Sequence, residues 1–347
     1  MLPRQVLITG GAGFLGAHLV GCFRQAEIPV RLLDQTEGPT WAHRPGIEYV
    51  HGDVRDPTTL AAALAGVDTV VHAAFASPWQ TRELITQVNI EGTRRLCAEA
   101  VARGVRRLLL LSSTIVLQPH RAHPLFPNAP LSRLDCYRTS RVAAEAVVTE
   151  YGNQGLSAAI VRPKTFLGPG RVSAFALLFE RIRQGRPVPM LGPGRNRYQL
   201  LDVRDMADGV RLLAASEAEG VFGLGAYEFA TVREDLQALL NYAQTGARLW
   251  VLPGWLARVA LDGIELVGLT PLSEWHHCSA RDKDSLVDTS RAEGELGWRP
   301  KRSNRQTLID AYAWYAASIA QTGTAQTVHP VSLSHRALKG IAGIFSR

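Results

Sequence analysis

The sequence predicts an α/β fold built on a doubly wound parallel sheet, and three observations carry the prediction. Short apolar runs alternate with amphipathic stretches through the first half of the 347-residue chain, as parallel strands joined by crossover helices require. A glycine-rich turn, Thr9-Gly10-Gly11-Ala12-Gly13-Phe14-Leu15-Gly16, joins the first apolar run to the first helical stretch. A carboxylate, Asp34, stands at the end of the second run.

Taken in order, the apolar runs at 6–9, 30–33, 69–72, 107–112 and 158–161 are short enough for buried strands. The stretches 14–25, 58–64, 90–102 and 137–151 between them have helical length and periodicity. After Arg162-Pro163 the pattern loosens. Gly168-Pro169-Gly170 and Leu191-Gly192-Pro193-Gly194 punctuate it, with a helical pattern at 173–184 between them. The expected division is a nucleotide-binding domain at 1–165, with later strands returning to it from 195–230, a substrate-binding region at 166–315, and a polar linker with a basic amphipathic tail at 316–347.

Composition narrows the class. Hydrophobic residues at 46% and charged residues at 20% exclude a disordered chain. The net charge of +7 suits an anionic ligand or an anionic membrane surface. Arginines are scattered rather than clustered, so nucleic acid is not an expected partner. Four cysteines, Cys22, Cys97, Cys136 and Cys278, form no CxxC pair and no metal-ligand spacing. Free thiols in a reducing, cytoplasmic setting are expected. No signal peptide is read at the N-terminus, and no run approaches the roughly 20 apolar residues that span a bilayer. In the tail, Leu338, Ile341 and Phe345 share a helical face with Arg336 and Lys339 off it. That pattern fits an interfacial helix and peripheral membrane contact, or else a frayed tail or a tail docked on a partner subunit. The nearly uncharged stretch 255–269 reads as a core helix or as a lid over an apolar substrate.

The glycine turn carries the first chemistry. Glycines at 10, 13 and 16 between a strand and a helix let the chain turn tightly and admit a pyrophosphate to the helix N-terminus. Asp34, 18 residues after Gly16, is placed to accept hydrogen bonds from an adenosine ribose. A carboxylate there repels a ribose phosphate, and Arg31 sits too early on the strand to offset it, so the expected cofactor is NAD rather than NADP. The fold is therefore of Rossmann type.

At these residues the chain resembles the extended short-chain dehydrogenase/reductases, and among them the NAD-dependent epimerase/dehydratases. The resemblance runs from Val6 to about Tyr315. It rests on the TGxxGxxG turn, Gly52-Asp53-Val54, Val70-Val71-His72-Ala73-Ala74, Asn89-Ile90-Glu91-Gly92-Thr93, Arg162-Pro163 with Gly168-Pro169-Gly170, and Leu296-Gly297-Trp298-Arg299-Pro300. It implies a cofactor site formed by Gly10, Gly13, Phe14, Leu15, Gly16, Asp34, Asp53, Val54, Ala73, Ala74, Asn89, Tyr137, Arg141 and Pro163. It also implies a homodimer.

In this family a strand ending in Ser or Thr precedes a helix opening with YxxxK. Here Leu111-Ser112-Ser113-Thr114 ends the strand and Tyr137-Arg138-Thr139-Ser140-Arg141 opens the helix. The expected catalytic residues are Ser113, Tyr137 and Arg141, with Ser112 or Thr114 taking the hydroxyl's place if the strand is slipped. Hydride loss from a carbinol needs a base for the hydroxyl proton and a donor for the developing carbonyl oxygen. A free phenol titrates near 10, so it needs a neighbouring cation to act as that base. The motif lysine is replaced by Arg141, which shares a helix face with Tyr137 but cannot shuttle a proton. Three readings stay open: an enzyme with Arg in the Lys role, a slow or narrowed enzyme, and a non-catalytic NAD-binding module.

Other departures bear on substrate. Dehydratases of the family carry Asp-Glu directly after the catalytic hydroxyl, whereas this chain has Thr114-Ile115, which disfavours dehydration. Where sugar-nucleotide epimerases hold a diphosphate with Arg, five residues before Val203, this chain has Tyr198, with Arg197, Arg195 and Arg171 nearby. Thr114, Arg171, Arg197 and Tyr198 are the expected substrate contacts. No metal is expected: His276 and His277 are adjacent, point in different directions in regular structure and lack a third ligand. The leading expectation is NAD-dependent oxidation or epimerisation of a secondary alcohol on a sugar or sugar nucleotide. The alternative is oxidation of a lipid alcohol in the manner of the hydroxysteroid dehydrogenases.

Overall fold

The computed structural model describes residues 2–118, 123–132, 135–170, 175–253, 255 and 282–322. The chain divides into two compact units. The first comprises 1–166, 203–225 and 287–301, and the second 167–202, 226–286 and 302–347.

The first unit holds a seven-stranded sheet. Its strands are β1 (Val6–Thr9), β2 (Val30–Asp34), β3 (Ile47–His51), β4 (Thr69–His72), β5 (Arg107–Leu111), β6 (Ser157–Pro163) and, after the short β7 (Phe166–Leu167), β8 (Val188–Leu191) and β9 (Leu201–Asp202) of the intervening chain, β10 (Gly220–Leu224). The order is β10-β6-β5-β4-β1-β2-β3, and every neighbouring pair is parallel. The chain runs outward from β1 to β3, then returns to lay β4 on the other side of β1. This reversal opens a crevice beyond the carboxyl ends of β1 and β4, the place where such sheets bind ligands.

The strands expected at 6–9, 30–33, 69–72, 107–112 and 158–161 all form. Strand β3 was not expected. It lies at the sheet edge with no fully buried residue, so it lacks the continuous apolar run that marks the central strands. Strand β10 is likewise marked only weakly, since two of its five residues are glycine.

The helices α1 (Phe14–Gln25) and α2 (Pro57–Leu64) match their expected spans. Asp56 caps α2, accepting from the amides of Thr58 and Thr59, and Pro57 occupies the first helical position. The helix expected at 90–102 is longer and interrupted. It begins at α3 (Arg82–Thr86), passes through a π-helical turn at Gln87–Gly92 and continues as α4 (Thr93–Ala102). A π-turn inserts an extra residue into the helix and often marks a functional site. Here it turns both Asn89 and Gly92 inward. Helix α5 (Cys136–Asn153) starts at Asp135, whose carboxylate accepts from the Arg138 amide.

One face of the sheet is sealed by α2, α4 and α5, with Leu7, Val70, Leu108 and Ile160 packed against Leu60, Leu96, Cys97, Ala144 and Val148. Burial pushes the Cys97 thiol up to about 12, so it is an inert core residue. The helix α7 (Val203–Ala214) lies beside α1. Arg107, fully buried, donates to the carbonyls of Leu213, at the end of α7, and Ala218, in the chain that follows it, and holds this later segment to the sheet. Trp298, also fully buried, donates from its indole to the Asp205 carbonyl at 3.0 Å. It therefore anchors the last segment of the unit, following the short helix α9 (Ser290–Leu296).

The second unit packs α6 (Ala176–Arg183), α8 (Val232–Ala243) and α10 (Asn304–Thr322) around Phe179, Leu236, Leu239, Tyr312 and Tyr315. The strand β11 (Leu249–Leu252) pairs in parallel with β8. Thr231 and Glu234 form a complete capping box at the start of α8. Among the described residues no helix is long and apolar enough to cross a membrane.

Candidate active site

The glycine turn follows β1 directly into α1. Gly10 has φ +69°, and a Cβ there meets the backbone of Ala73 and Ala74 at 3.0 Å. The turn therefore lies directly against the chain that leaves β4. Gly16 is tighter still, since an added Cβ falls 2.0 Å from the Gly11 carbonyl oxygen. Gly13 precedes the helix and supplies no side-chain cap, so the first-turn amides of α1 stay available to an anion. The Phe14 ring is 2% exposed and packs on Phe166 and His18, which leaves only its backbone to face a ligand. Leu15 is half-buried beside it.

Asp34 is held for its task. One carboxylate oxygen accepts from the Ala12 amide at 3.0 Å and the other from the amide and hydroxyl of Thr36, both at 3.1 Å. A dinucleotide fits this cradle: turn without Cβ atoms, uncapped helix and oriented carboxylate. Asp53 is bound by Arg55, which donates Nε and NH2 to it, and this guanidinium holds the carboxyl below its usual range. Val54 is buried. Pro163 is buried at the end of β6.

Behind the crevice, His72 is fully buried between two hydroxyls. Burial first, and the charge of Arg141 second, push its imidazole down to about 3, so it is neutral. Its tautomer follows from the partners. The Thr93 hydroxyl donates to the Asn89 carbonyl at 2.7 Å, and so it can only accept from His72 Nε2, 2.9 Å away. Nε2 carries the proton and Nδ1 accepts from the Thr9 hydroxyl at 2.7 Å. Thr9 Oγ1 in turn accepts from the amides of Ala73 and Ala74, which fixes the loop facing the glycine turn. Asn89, expected at the cofactor, is completely buried. Its side chain accepts from the Ala76 amide and donates to Ser140 Oγ, and it braces the same loop from behind.

The catalytic candidates lie at the ends of β5 and the start of α5. Ser113 is half-buried; its Oγ accepts from the Ile115 amide at 3.3 Å, which leaves its own proton free to donate. Ser112 faces inward, 5% exposed, with no partner for its hydroxyl among the described residues. Thr114 is 3% exposed. Of the three residues, Ser113 alone is not fully buried. Arg141 Nε donates to the Tyr137 hydroxyl at 3.0 Å, and its NH1 donates to the Leu111 carbonyl at 3.1 Å. One guanidinium thus ties the phenol of α5 to the strand end that carries Ser113. The guanidinium carbon sits 4.1 Å from the centroid of the Phe75 ring. Two of its five N–H groups are used, and the other three have no partner among the described residues.

The expected substrate contacts fare differently. Tyr198 is 2% exposed in the core of the second unit, and its carbonyl accepts from Asn304. It is a packing residue rather than a pocket wall. Arg197 is spent on Asp284, donating Nε and NH2 to one carboxylate oxygen at 2.9 and 2.6 Å. Arg171, the stretch 256–269, His276, His277 and the tail lie outside the described residues. No group of side chains able to hold a metal is found among the described residues. Phe75 escaped the sequence reading, although it directly follows the His72-Ala73-Ala74 motif. Its relation to Arg141 is purely tertiary.

A family model described as the NAD dependent epimerase/dehydratase family matches residues 6–225. An uncharacterized protein of Sinorhizobium fredii, y4nG, is 32% identical over 93% of this chain and 81% of its own length. A 3 beta-hydroxysteroid dehydrogenase/Delta 5-->4-isomerase of Mycobacterium tuberculosis is 27% identical over 94% of this chain and 96% of its own. Among solved structures, the Bordetella bronchiseptica enzyme WbmG in complex with NAD and UDP superposes with a TM-score of 0.74 at 21% identity, covering 91% of this chain and 96% of the other. The cradle after β1, the oriented Asp34 and these matches agree: the chain belongs to the NAD-dependent epimerase/dehydratase family and is an NAD-dependent enzyme of the extended short-chain dehydrogenase/reductase type.

Proposed function

We propose that this enzyme oxidises a secondary alcohol with Tyr137 as the proton acceptor, Ser113 as the donor to the carbinol oxygen and Arg141 in place of the motif lysine. The observation that carries the reading is the single guanidinium that bonds both the Tyr137 hydroxyl and the end of β5. Bound NAD supplies the acceptor for the hydride. Tyr137, as the phenolate beside the Arg141 guanidinium, takes the carbinol proton and is left as the neutral phenol. Ser113, whose lone pair is occupied by the Ile115 amide, turns its proton to the substrate oxygen as that oxygen gains carbonyl character. The three spare N–H groups of Arg141 would be available to hold the hydroxyls of the nicotinamide ribose. Arg141 does not itself relay a proton, so in this reading the proton leaves Tyr137 through solvent or returns to the product.

For the substrate, we favour a steroid-like or other lipid alcohol over a sugar nucleotide. Tyr198 stands where a diphosphate-binding arginine is expected and is buried, and the neighbouring Arg197 is neutralised by Asp284. The curated relative that is a 3 beta-hydroxysteroid dehydrogenase supports the same choice. The sugar-nucleotide reading keeps observations of its own, among them the similarity of fold to an enzyme held with NAD and UDP. The test is NADH formation at 340 nm with a panel of 3-hydroxysteroids, terpenoid alcohols and UDP- and dTDP-sugars, coupled to an epimerisation assay on the sugars. Reduction of NAD by a lipid alcohol is expected. Turnover confined to nucleotide sugars refutes the substrate choice, and full activity in Tyr137→Phe refutes the catalytic assignment.

A further inference from the structure

Arg141 departs from the motif lysine in shape as well as length. A guanidinium is planar and holds its donors in a fixed fork, whereas an ammonium is a compact point charge. To serve as the cation beside Tyr137, the plane needs a surface that sets its tilt. Phe75 provides one, with its ring centroid 4.1 Å from the Arg141 carbon, against 5.0 Å for the Tyr137 ring.

Phe75 is itself held. His72 packs on the Phe75 ring with centroids 5.4 Å apart and planes 29° from parallel, and the loop carrying both is pinned on either side of the phenylalanine. Thr9 accepts from the amides of Ala73 and Ala74, and Asn89 accepts from the amide of Ala76. The imidazole is fixed in turn by Thr9 and Thr93. A neutral ring at 72 is what the arrangement requires, since an imidazolium there would repel the guanidinium. Asn89 also bonds Ser140, whose hydroxyl donates to the Tyr137 carbonyl, so one set of contacts fixes both the platform and the helix turn that bears Tyr137.

We propose that Phe75 is a positioning residue that seats the Arg141 guanidinium between Tyr137 and the end of β5, and that this aromatic platform is what lets arginine stand in for lysine. The proposal rests on the reading of Arg141 as a cofactor- and Tyr137-directed cation. It needs no new chemistry, because Phe75 acts only through the plane it supports.

A double-mutant cycle on the full chain, read by NADH fluorescence titration, tests it without a known substrate. Phe75→Leu is expected to weaken NADH binding about 3- to 10-fold, the range of a partly desolvated cation–π contact. Arg141→Met is expected to weaken it about 10-fold, a loss of charge-assisted hydrogen bonds. In the Arg141→Met background, Phe75→Leu should add less than a factor of two, and Phe75→Tyr, which keeps the ring face, should bind within twofold of the unaltered protein. The Arg141 Nε–H resonance should also move in Phe75→Leu and not in Phe75→Tyr. Equal losses from Phe75→Leu in both backgrounds overturn the proposal, since Phe75 then acts on NADH directly or on the fold at large. Wild-type binding by Arg141→Met overturns the underlying reading of Arg141, and the platform with it. Thermal melts accompany each titration, and if Phe75→Leu does not fold, Phe75→Met carries the same arms.

Discussion

Glu145 and Arg162 form a deeply buried ion pair, each side chain 5% exposed. Arg162 donates Nε to one oxygen at 3.0 Å and NH2 to the other at 2.6 Å, and its NH1 reaches the Pro127 carbonyl at 2.7 Å. The pair joins α5, two turns after Tyr137, to β6 and to the loop after Ser113. Glu145→Gln conserves volume but removes the charge, leaving a buried guanidinium with only neutral acceptors and an amide NH2 pressed against it. Breaking one side of such a pair costs about 3–5 kcal/mol. For a cooperative unit of roughly 200 residues, each kcal/mol moves the midpoint by about 2–4 °C, so Tm should fall by about 6–20 °C. Differential scanning calorimetry at one scan rate, with and without saturating NAD, measures the fall. A drop below 2 °C refutes the reasoning. The double variant Glu145→Leu/Arg162→Met separates charge from packing. It removes both desolvation costs and should recover at least half the loss, even with the Pro127 carbonyl left unpaired at about 1–3 kcal/mol. A double variant no better than Glu145→Gln shows that shape, not charge, is what the pair supplies.

Further perturbations bear on the site. Gly16→Ala places a methyl 2.0 Å from the Gly11 carbonyl oxygen, so the turn must open; NADH titration should show binding at least tenfold weaker, and unchanged affinity contradicts the assigned cradle. Tyr137→Phe removes the proton acceptor but no cofactor contact of comparable weight, so turnover should fall about 10²–10⁴-fold while NADH affinity stays within threefold. His72 is held neutral in the fold, with its value pushed down to about 3, while in the unfolded chain it takes a proton near 6.5. Between those limits, falling pH favours the unfolded state by up to about 1.4 kcal/mol per pH step, and above 6.5 the group adds no pH dependence. The drop in Tm from pH 7 to pH 5 should therefore be smaller in His72→Gln than in the unaltered protein, and equal drops remove His72 as the source.

Much of the site was legible because its parts are local. The glycine turn, Asp34 and the Tyr137–Arg141 pair depend on spacing along one strand or one helix, and periodicity locates those elements. Strand β3 was missed because an edge strand with half-exposed residues has no continuous apolar run. The helix at 90–102 was placed too late because a π-turn shifts the phase that a period of 3.6 assumes. The expectation for Tyr198 was drawn from its offset to Val203, and offset carries no information about which side chain faces a core. Phe75, His72 and Asn89 required the fold itself. Each does its work through residues distant in sequence, as when Thr9 and Thr93 fix the histidine between them.

The sheet described above is completed late in the life of the nascent chain. Six of its strands lie before residue 164, but β10 follows only at Gly220–Leu224, and the Trp298 anchor comes later still. At ribosomal speeds of about 5–20 residues per second, β6 waits roughly 3–12 seconds as an open edge before its neighbour is made. An unpaired parallel strand of this kind is a template for pairing with another chain. The anchoring arginine at the foot of β5 is also without its helix during that interval. Expression at reduced temperature, or with holding chaperones in excess, should therefore raise the soluble yield more than a later change of purification buffer, because the vulnerable species exists only during synthesis.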